Sequence, residues 1–141
     1  MAQSLLLRIV TPRAPLLETE VLEVSGPGTV GEFGVLPDHV TFLTSLEPGV
    51  LRYRTTGGEG AVAILGGFAE VRNNTVTVLA DDALSGEDVP VEQVRAELSH
   101  WEQEARALSP GDAAFELTDR QRRWAEAQLA AARLAGATRL H

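Results

Sequence analysis

The 141-residue chain contains no cysteine and no lysine; all twelve basic residues are arginine. The first absence removes disulfides, thiolate nucleophiles and cysteine metal sites. The second removes a P-loop with its lysine, a Schiff-base enzyme and a serine–lysine dyad. Aromatic residues are only 5% and scattered, too few for an aromatic-rich ligand pocket. No apolar run approaches the roughly 18 residues of a membrane-spanning helix. The start, MAQSLLLRIVTPRAP, has no basic residue ahead of its short apolar patch and no small-residue cleavage site, so it does not read as a secretory signal. No Gly-x-Ser-x-Gly elbow occurs, and His39, His100 and His141 show no metal-ligand spacing. His100, beside Trp101, reads as a surface residue of a helix, and the terminal His141 as mobile. Asp81-Asp82 reads as a turn or helix cap before it reads as a cation site. Gly26-Pro27-Gly28 lacks the further glycines of a phosphate loop and is followed by strand-like residues. With 44% hydrophobic residues, the chain is expected to be a soluble, intracellular, non-enzymatic domain with at most one small appendage.

Charge is unevenly distributed. Residues 1–88 hold five Arg against twelve acids, for −7, and residues 89–117 hold two against six, for −4. Residues 118–141 hold five Arg against only Asp119 and Glu126, for +3. Such an acidic body repels phosphates, so no nucleic acid is expected as a partner. A basic terminal segment on it suits an acidic protein surface, its own included.

The first 85 residues read as short strands. Candidates are Leu5–Val10, Leu17–Val24, Val50–Arg54, Ala61–Leu65, Phe68–Arg72 and Thr75–Leu79. Turn formers separate them at Ser25-Gly26-Pro27-Gly28, Glu47-Pro48-Gly49, Thr56-Gly57-Gly58, Gly66-Gly67 and Asn73-Asn74. Many short strands without intervening helix predict an antiparallel sandwich or barrel. After Ala83 the pattern changes. Ser85-Gly86-Glu87-Asp88-Val89-Pro90 is a polar junction, which places a β-sandwich over 1–88 and a helical unit over 89–141. Val91, Val94, Leu98, Trp101, Ala105 and Leu108 then form a helical stripe, which Ser109-Pro110-Gly111-Asp112 ends. Thr118-Asp119-Arg120-Gln121 fits a capping box for a second helix. That helix aligns Trp124, Gln128, Ala131 and Ala135, with Ala125, Leu129, Ala132 and Gly136 beside them. The class is therefore α+β, an N-terminal antiparallel β-sandwich followed by a C-terminal two-helix antiparallel hairpin. Alanine faces bury little area, so the hairpin is expected to be weakly held and to move.

The most distinctive stretch is Gly31-Glu32-Phe33-Gly34-Val35-Leu36-Pro37-Asp38-His39-Val40-Thr41-Phe42-Leu43-Thr44. In purely structural terms it is a corner of a sandwich, with His39 bonding its own turn. It resembles the Gly-Glu-x-Gly-(Ile/Val)-(Leu/Tyr)-Pro-x-His-x-x-x-Leu-Thr segment of the epsilon subunit of bacterial F-type ATP synthase, called delta in mitochondria. Pro48-Gly49-Val50-Leu51-Arg52 resembles that family's Pro-Gly-x-(Leu/Ile)-Arg. Gly66-Gly67-Phe68-Ala69-Glu70-Val71 is similar to its Gly-Gly-(Phe/Ile)-x-Glu-Val, and Val76–Asp81 to the strand that follows. The resemblance covers residues 4–88; beyond them it rests on length and architecture.

The resemblance implies a non-catalytic subunit of the central stalk of a rotary motor, coupling ion-driven c-ring rotation to ATP synthesis. Its partners would be the gamma subunit, the c-ring and, through the hairpin, the alpha/beta catalytic head. It would sit on the cytoplasmic face of the bacterial membrane without inserting into lipid. By position in the motif, Thr29, Val30, Gly31, Glu32, Phe33 and His39 would lie at the c-ring and gamma interface. Phe33 is open to two readings, an anchor in that contact or a core residue of the sandwich. Arg120, Arg122, Arg123 and Arg133 would meet acidic segments of the head when the hairpin extends to inhibit ATP hydrolysis. They could equally form a solvated face or pair with Glu97, Glu102 and Glu104 of the first helix. Some relatives bind ATP in the hairpin through (Ile/Leu)-Asp-x-x-Arg-Ala. Here Val91-Glu92-Gln93-Val94-Arg95-Ala96 keeps Arg95, replaces the Asp, and has Glu102 where a second arginine is expected. No cofactor is therefore expected, and Arg95 reads as a helix-surface residue. Two rival readings are a free-standing ligand-binding sandwich with a helical lid and an adaptor whose hairpin dimerises.

Overall fold

The computed structural model describes residues 3–139, with side chains placed as far as Gly136; His141 lies outside the described residues. Eight strands precede two helices: β1 (Leu5–Val10), β2 (Pro15–Val21), β3 (Glu23–Gly28), β4 (Gly31–Val35), β5 (Phe42–Leu46), β6 (Gly49–Thr55), β7 (Gly58–Arg72) and β8 (Thr75–Ser85), then α1 (Val91–Arg106) and α2 (Ala113–Arg139). A single 3-10 turn, Gly86–Asp88, joins strands to helices. The strand order is β2-β1-β8-β7-β5-β3-β4, and β6 pairs with both β3 and β7, so the sheet folds back on itself as a sandwich. One pair departs from the expected antiparallel plan: β1 and β8, distant in sequence, run parallel.

The core follows from period-two alternation. Leu5, Leu7 and Ile9 of β1, Ala69 and Val71 of β7, and Val76 and Val78 of β8 all point inward and are buried. Leu51, Val62 and Ile64 continue this cluster beneath β6.

Four local expectations are corrected. The single strand over Leu17–Val24 is broken at Leu22, where the chain leaves β1 and begins to pair with β4 and β6. Ser25–Gly28 is strand, not turn: a Cβ on Gly26 would lie 2.7 Å from Phe33 Cζ, so glycine there makes room for a ring. Gly66-Gly67 is a bulge inside the long β7, where register against β8 shifts. Thr118 caps nothing. The helix formers Ala113–Leu117 carry no breaker, so α2 already runs through it and buries it.

The hairpin lies against the sandwich. One side of α2 places Ala127 and Ala131, with Trp124 and Leu134, over Ala61 and Ala63 of β7. Another packs Ala125, Leu129 and Ala132 against Val94, Val91 and Leu98. Alanine on both sides lets α2 approach two layers closely, while each buried methyl contributes only about 0.8 kcal/mol.

Candidate functional site

The outer face of the sheet carries an apolar strip that nothing among the described residues covers. Ala69 and Val71 point inward, so Phe68 points outward; Leu79 is its direct partner across β8, and Leu43 lies two residues from Ser45, its partner on β5. Phe68, Leu79 and Leu43 are 57%, 56% and 68% exposed. Their neighbours on that face, Glu70 and Arg72, are charged and exposed. Three large apolar side chains in the solvent phase of three adjacent strands make a small patch of the kind that marks a docking surface. Sequence reasoning missed them, although the alternation Phe68-Ala69-Glu70-Val71-Arg72 already contains the signal.

The residues expected at an interface fall in two places. Thr29 and Val30 form the tip between β3 and β4, beside the last residues of β5: the Thr29 amide donates to the Ser45 carbonyl at 3.1 Å. Val30 is 91% exposed, and Gly31 and Glu32 beside it are also exposed. Phe33 is half-buried, packed on the core 5.7 Å from Phe42, which favours the core reading for that ring. His39 sits before the start of β5, its Nδ1 2.8 Å from the Val40 carbonyl and its ring edge-on to Phe42. The tip and His39 thus occupy opposite ends of β5, roughly 15 Å apart for a five-residue strand.

The arginines of α2 divide by what they touch. Arg120 donates to Asp81 of β8 and Arg123 to Glu47 before β6, at 2.8 and 2.7 Å. Arg122 is bound within its own helix by Asp119, at 2.7 Å, and by Glu126; the bond to Asp119 chiefly holds its guanidinium above its ordinary pKa. Among the described residues Arg133 forms no ion pair. Arg120 and Arg123 therefore pair with acids of the sandwich, and not with Glu97, Glu102 or Glu104. Asp81 and Asp82 lie within β8 and not in a turn; Asp82 accepts from Arg13 at 2.8 Å.

Several clefts border the hairpin, two of them at Arg95 and at Tyr53. One of about 240 Å³ is lined by Val91, Arg95, Leu129, Ala132 and Arg133, and in it Arg95 is tied to Glu92 at 2.9 Å. The other, about 320 Å³, holds Tyr53 with Arg52, Arg54, Glu23 and Glu59 and is flanked by Leu134. Burial, aided by Glu87, raises the Tyr53 pKa above its ordinary 10.0. The folded state then keeps the phenol proton that the unfolded chain loses, so stability falls as the pH rises from the unfolded value through the folded one. An alkaline urea-melt series is expected to show this loss above about pH 10, and Tyr53→Phe is expected to reduce it.

Residues 4–86 match the family described as ATP synthase, Delta/Epsilon chain, beta-sandwich domain. The chain belongs to the ATP synthase delta/epsilon family. It is 43% identical over 117 residues to the ATP synthase epsilon chain of Geobacter sp. (strain M21), which covers 83% of this chain and 85% of the relative. The epsilon chain of Nitratidesulfovibrio vulgaris (strain DP4) is 41% identical over 134 residues, or 95% and 96% of the two chains. In fold it is similar to a chain of the Euglena gracilis mitochondrial ATP synthase OSCP/F1/c-ring assembly, with a TM-score of 0.78 at 23% identity over 93% of this chain and 82% of that one. Members of the delta/epsilon family are non-catalytic subunits of ATP synthase, and this chain is one of them.

Proposed function

We propose that this delta/epsilon chain forms the foot of the central stalk, binding the gamma subunit through its sandwich and passing rotation of the c-ring to the catalytic head. The uncovered strip of Leu43, Phe68 and Leu79 carries this reading, because a lasting partner is what keeps such side chains from water. Gamma occupies the strip, and the exposed Val30–Glu32 tip meets the polar loops of the c-ring. An exposed ion pair at Glu32 contributes only about 0–1 kcal/mol, so the tip positions the ring contact without supplying most of its energy. The complex holds the chain at the cytoplasmic face of the membrane; no helix among the described residues is long and apolar enough to cross one.

The hairpin is the regulatory part. Released from the sandwich, α2 presents its arginines to acidic segments of the head and slows ATP hydrolysis. It does not sense ATP, because Glu92 already occupies Arg95 and Glu102 opposes a triphosphate. Assembly of the full chain and of residues 1–88 with gamma and the catalytic head tests both halves. Both forms are expected to be retained on gamma, with ATP hydrolysis several-fold faster without residues 89–141. Loss of assembly on truncation would overturn the division of labour, and unchanged hydrolysis would overturn the inhibitory role.

A further inference from the structure

The hairpin's hold on the sandwich combines two contrasting kinds of contact. The buried apolar part is alanine, Ala127 and Ala131 on Ala61 and Ala63, with the half-buried Trp124, Leu134 and Val50 packed around it. The polar part is two ion pairs between separate elements, Arg120–Asp81 at 2.8 Å and Arg123–Glu47 at 2.7 Å. Of the other arginines of α2 whose side chains are described, Arg122 is satisfied inside the helix and Arg133 forms no ion pair among the described residues. The two pairs sit on one stretch of α2, one turn apart, so they act on the helix together. They are also accessible: the side chains of all four residues are between 36% and 55% exposed, where water and salt reach them. Nothing lies between Gly66 and this site, since a Cβ there would be 3.1 Å from both Arg120 Nη2 and Asp81 Oδ2.

We propose that Asp81 and Glu47 form an ionic latch for Arg120 and Arg123, so that ionic strength or a competing acidic protein surface controls release of the hairpin. The inference rests on the reading of the hairpin as a regulatory element and adds what holds it shut. While the latch is closed each of these arginines spends its Nη2 on a sandwich carboxylate, so another carboxylate competes with Asp81 and Glu47 for it. An acidic partner that draws α2 away must break both pairs, and neutralising Asp81 and Glu47 strengthens its binding by up to the factor by which it raises the open-to-closed ratio. A buried contact made of alanine methyls leaves a hold modest enough for two ion pairs to matter, and exposed pairs are weak enough to be exchanged. Screening acts directly on such pairs, because the Debye length shrinks from about 10 Å at 0.1 M salt to about 3 Å at 1 M.

A second contact supplies an independent handle on the same equilibrium. Gly86 lies directly beneath α2, where a Cβ would stand 2.2 Å from the Ala131 carbonyl oxygen. Gly86→Ala therefore obstructs the closed hairpin through backbone and leaves the open one unhindered.

Because the chain has no cysteine, dyes at Thr56→Cys on the β6–β7 turn and Ala107→Cys after α1 report the hairpin's position in the full chain by energy transfer. The Asp81→Asn/Glu47→Gln double variant is expected to raise the open-to-closed ratio by roughly ten-fold, from about two- to five-fold per pair. Raising NaCl from 0.05 to 1 M is expected to open the parent chain and to have little further effect on the double variant. Gly86→Ala is expected to open the hairpin at every salt concentration. Transfer in the double variant equal to that of the parent overturns the latch, whatever Gly86→Ala does. ATP hydrolysis by the assembled complex is read separately, so a hairpin that opens without slowing hydrolysis keeps the latch and discards the inhibitory reading.

Discussion

The Gly67→Ala variant is expected to melt roughly 10–20 °C below the parent, a loss of about 3 kcal/mol or more. Gly67 sits at φ +130°, a backbone conformation that a residue with a Cβ rarely adopts. A Cβ built there would also lie 2.1 Å from the Leu79 carbonyl oxygen and 2.9 Å from the Ala80 Cα. Both obstacles are backbone, so no side chain can rotate aside. Relief requires β7 to part from β8 at the bulge that aligns Ala69 and Val71 with the core below and Phe68 with the strip above. The core and the docking face would both be disturbed by that one methyl group. Gly34→Ala is the control: no atom lies within 4 Å of its Cβ and its backbone is ordinary, so its melting point should stay within the effect of about 0.5 kcal/mol. Thermal denaturation followed by circular dichroism distinguishes the two.

The same glycine pair marks where the sequence was legible and where it was not. Gly66-Gly67 signalled a departure from regular strand, and the structure has one there. A turn and a bulge use the same residue for the same backbone freedom, so only strand pairing tells them apart. The helical stripe from Val91 to Leu108 was readable because α1 buries a single face. In α2 the alanines serve two faces at once, which blurs the period, and Ala127 beneath Trp124 could not be assigned to the sandwich in advance. Thr118-Asp119-Arg120-Gln121 satisfied the capping pattern locally. Nothing within those four residues shows that the helix began a turn earlier, after Pro110-Gly111-Asp112. Glu47 and Asp81 were visible as acids, but their pairing with Arg123 and Arg120 depends on how α2 lies over β7. That register is a tertiary quantity, and acids of α1 were equally good partners on charge alone. The exposed strip was hidden for a different reason: Phe68 and Leu79 are also strand formers, and an apolar residue in a strand reads as core until the pairing shows which face it occupies.

Those two residues carry the second large expected effect. Phe68→Ser/Leu79→Ser is expected to weaken binding to the gamma subunit by roughly 10²–10³-fold, since buried apolar anchors at an interface contribute about 2 kcal/mol or more each. The isolated chain should lose only about 1 kcal/mol of stability. Both side chains are more than half exposed, and what is lost at home is one cross-strand pair. The comparison separates docking from folding because the core beneath, Ala69 and Val78, is untouched. Val30→Ser serves as the opposing case. It lies at the tip beyond the far end of β5, so affinity for gamma should stay within about two-fold while coupling to ring rotation weakens. Titration calorimetry with gamma measures the first effect, and ion-driven ATP synthesis in reconstituted vesicles measures the second. Equal affinity of the double variant and the parent would move the gamma contact away from the strip. The hairpin side of the sandwich would then be the remaining surface, and binding would have to compete with α2 for Ala61 and Ala63.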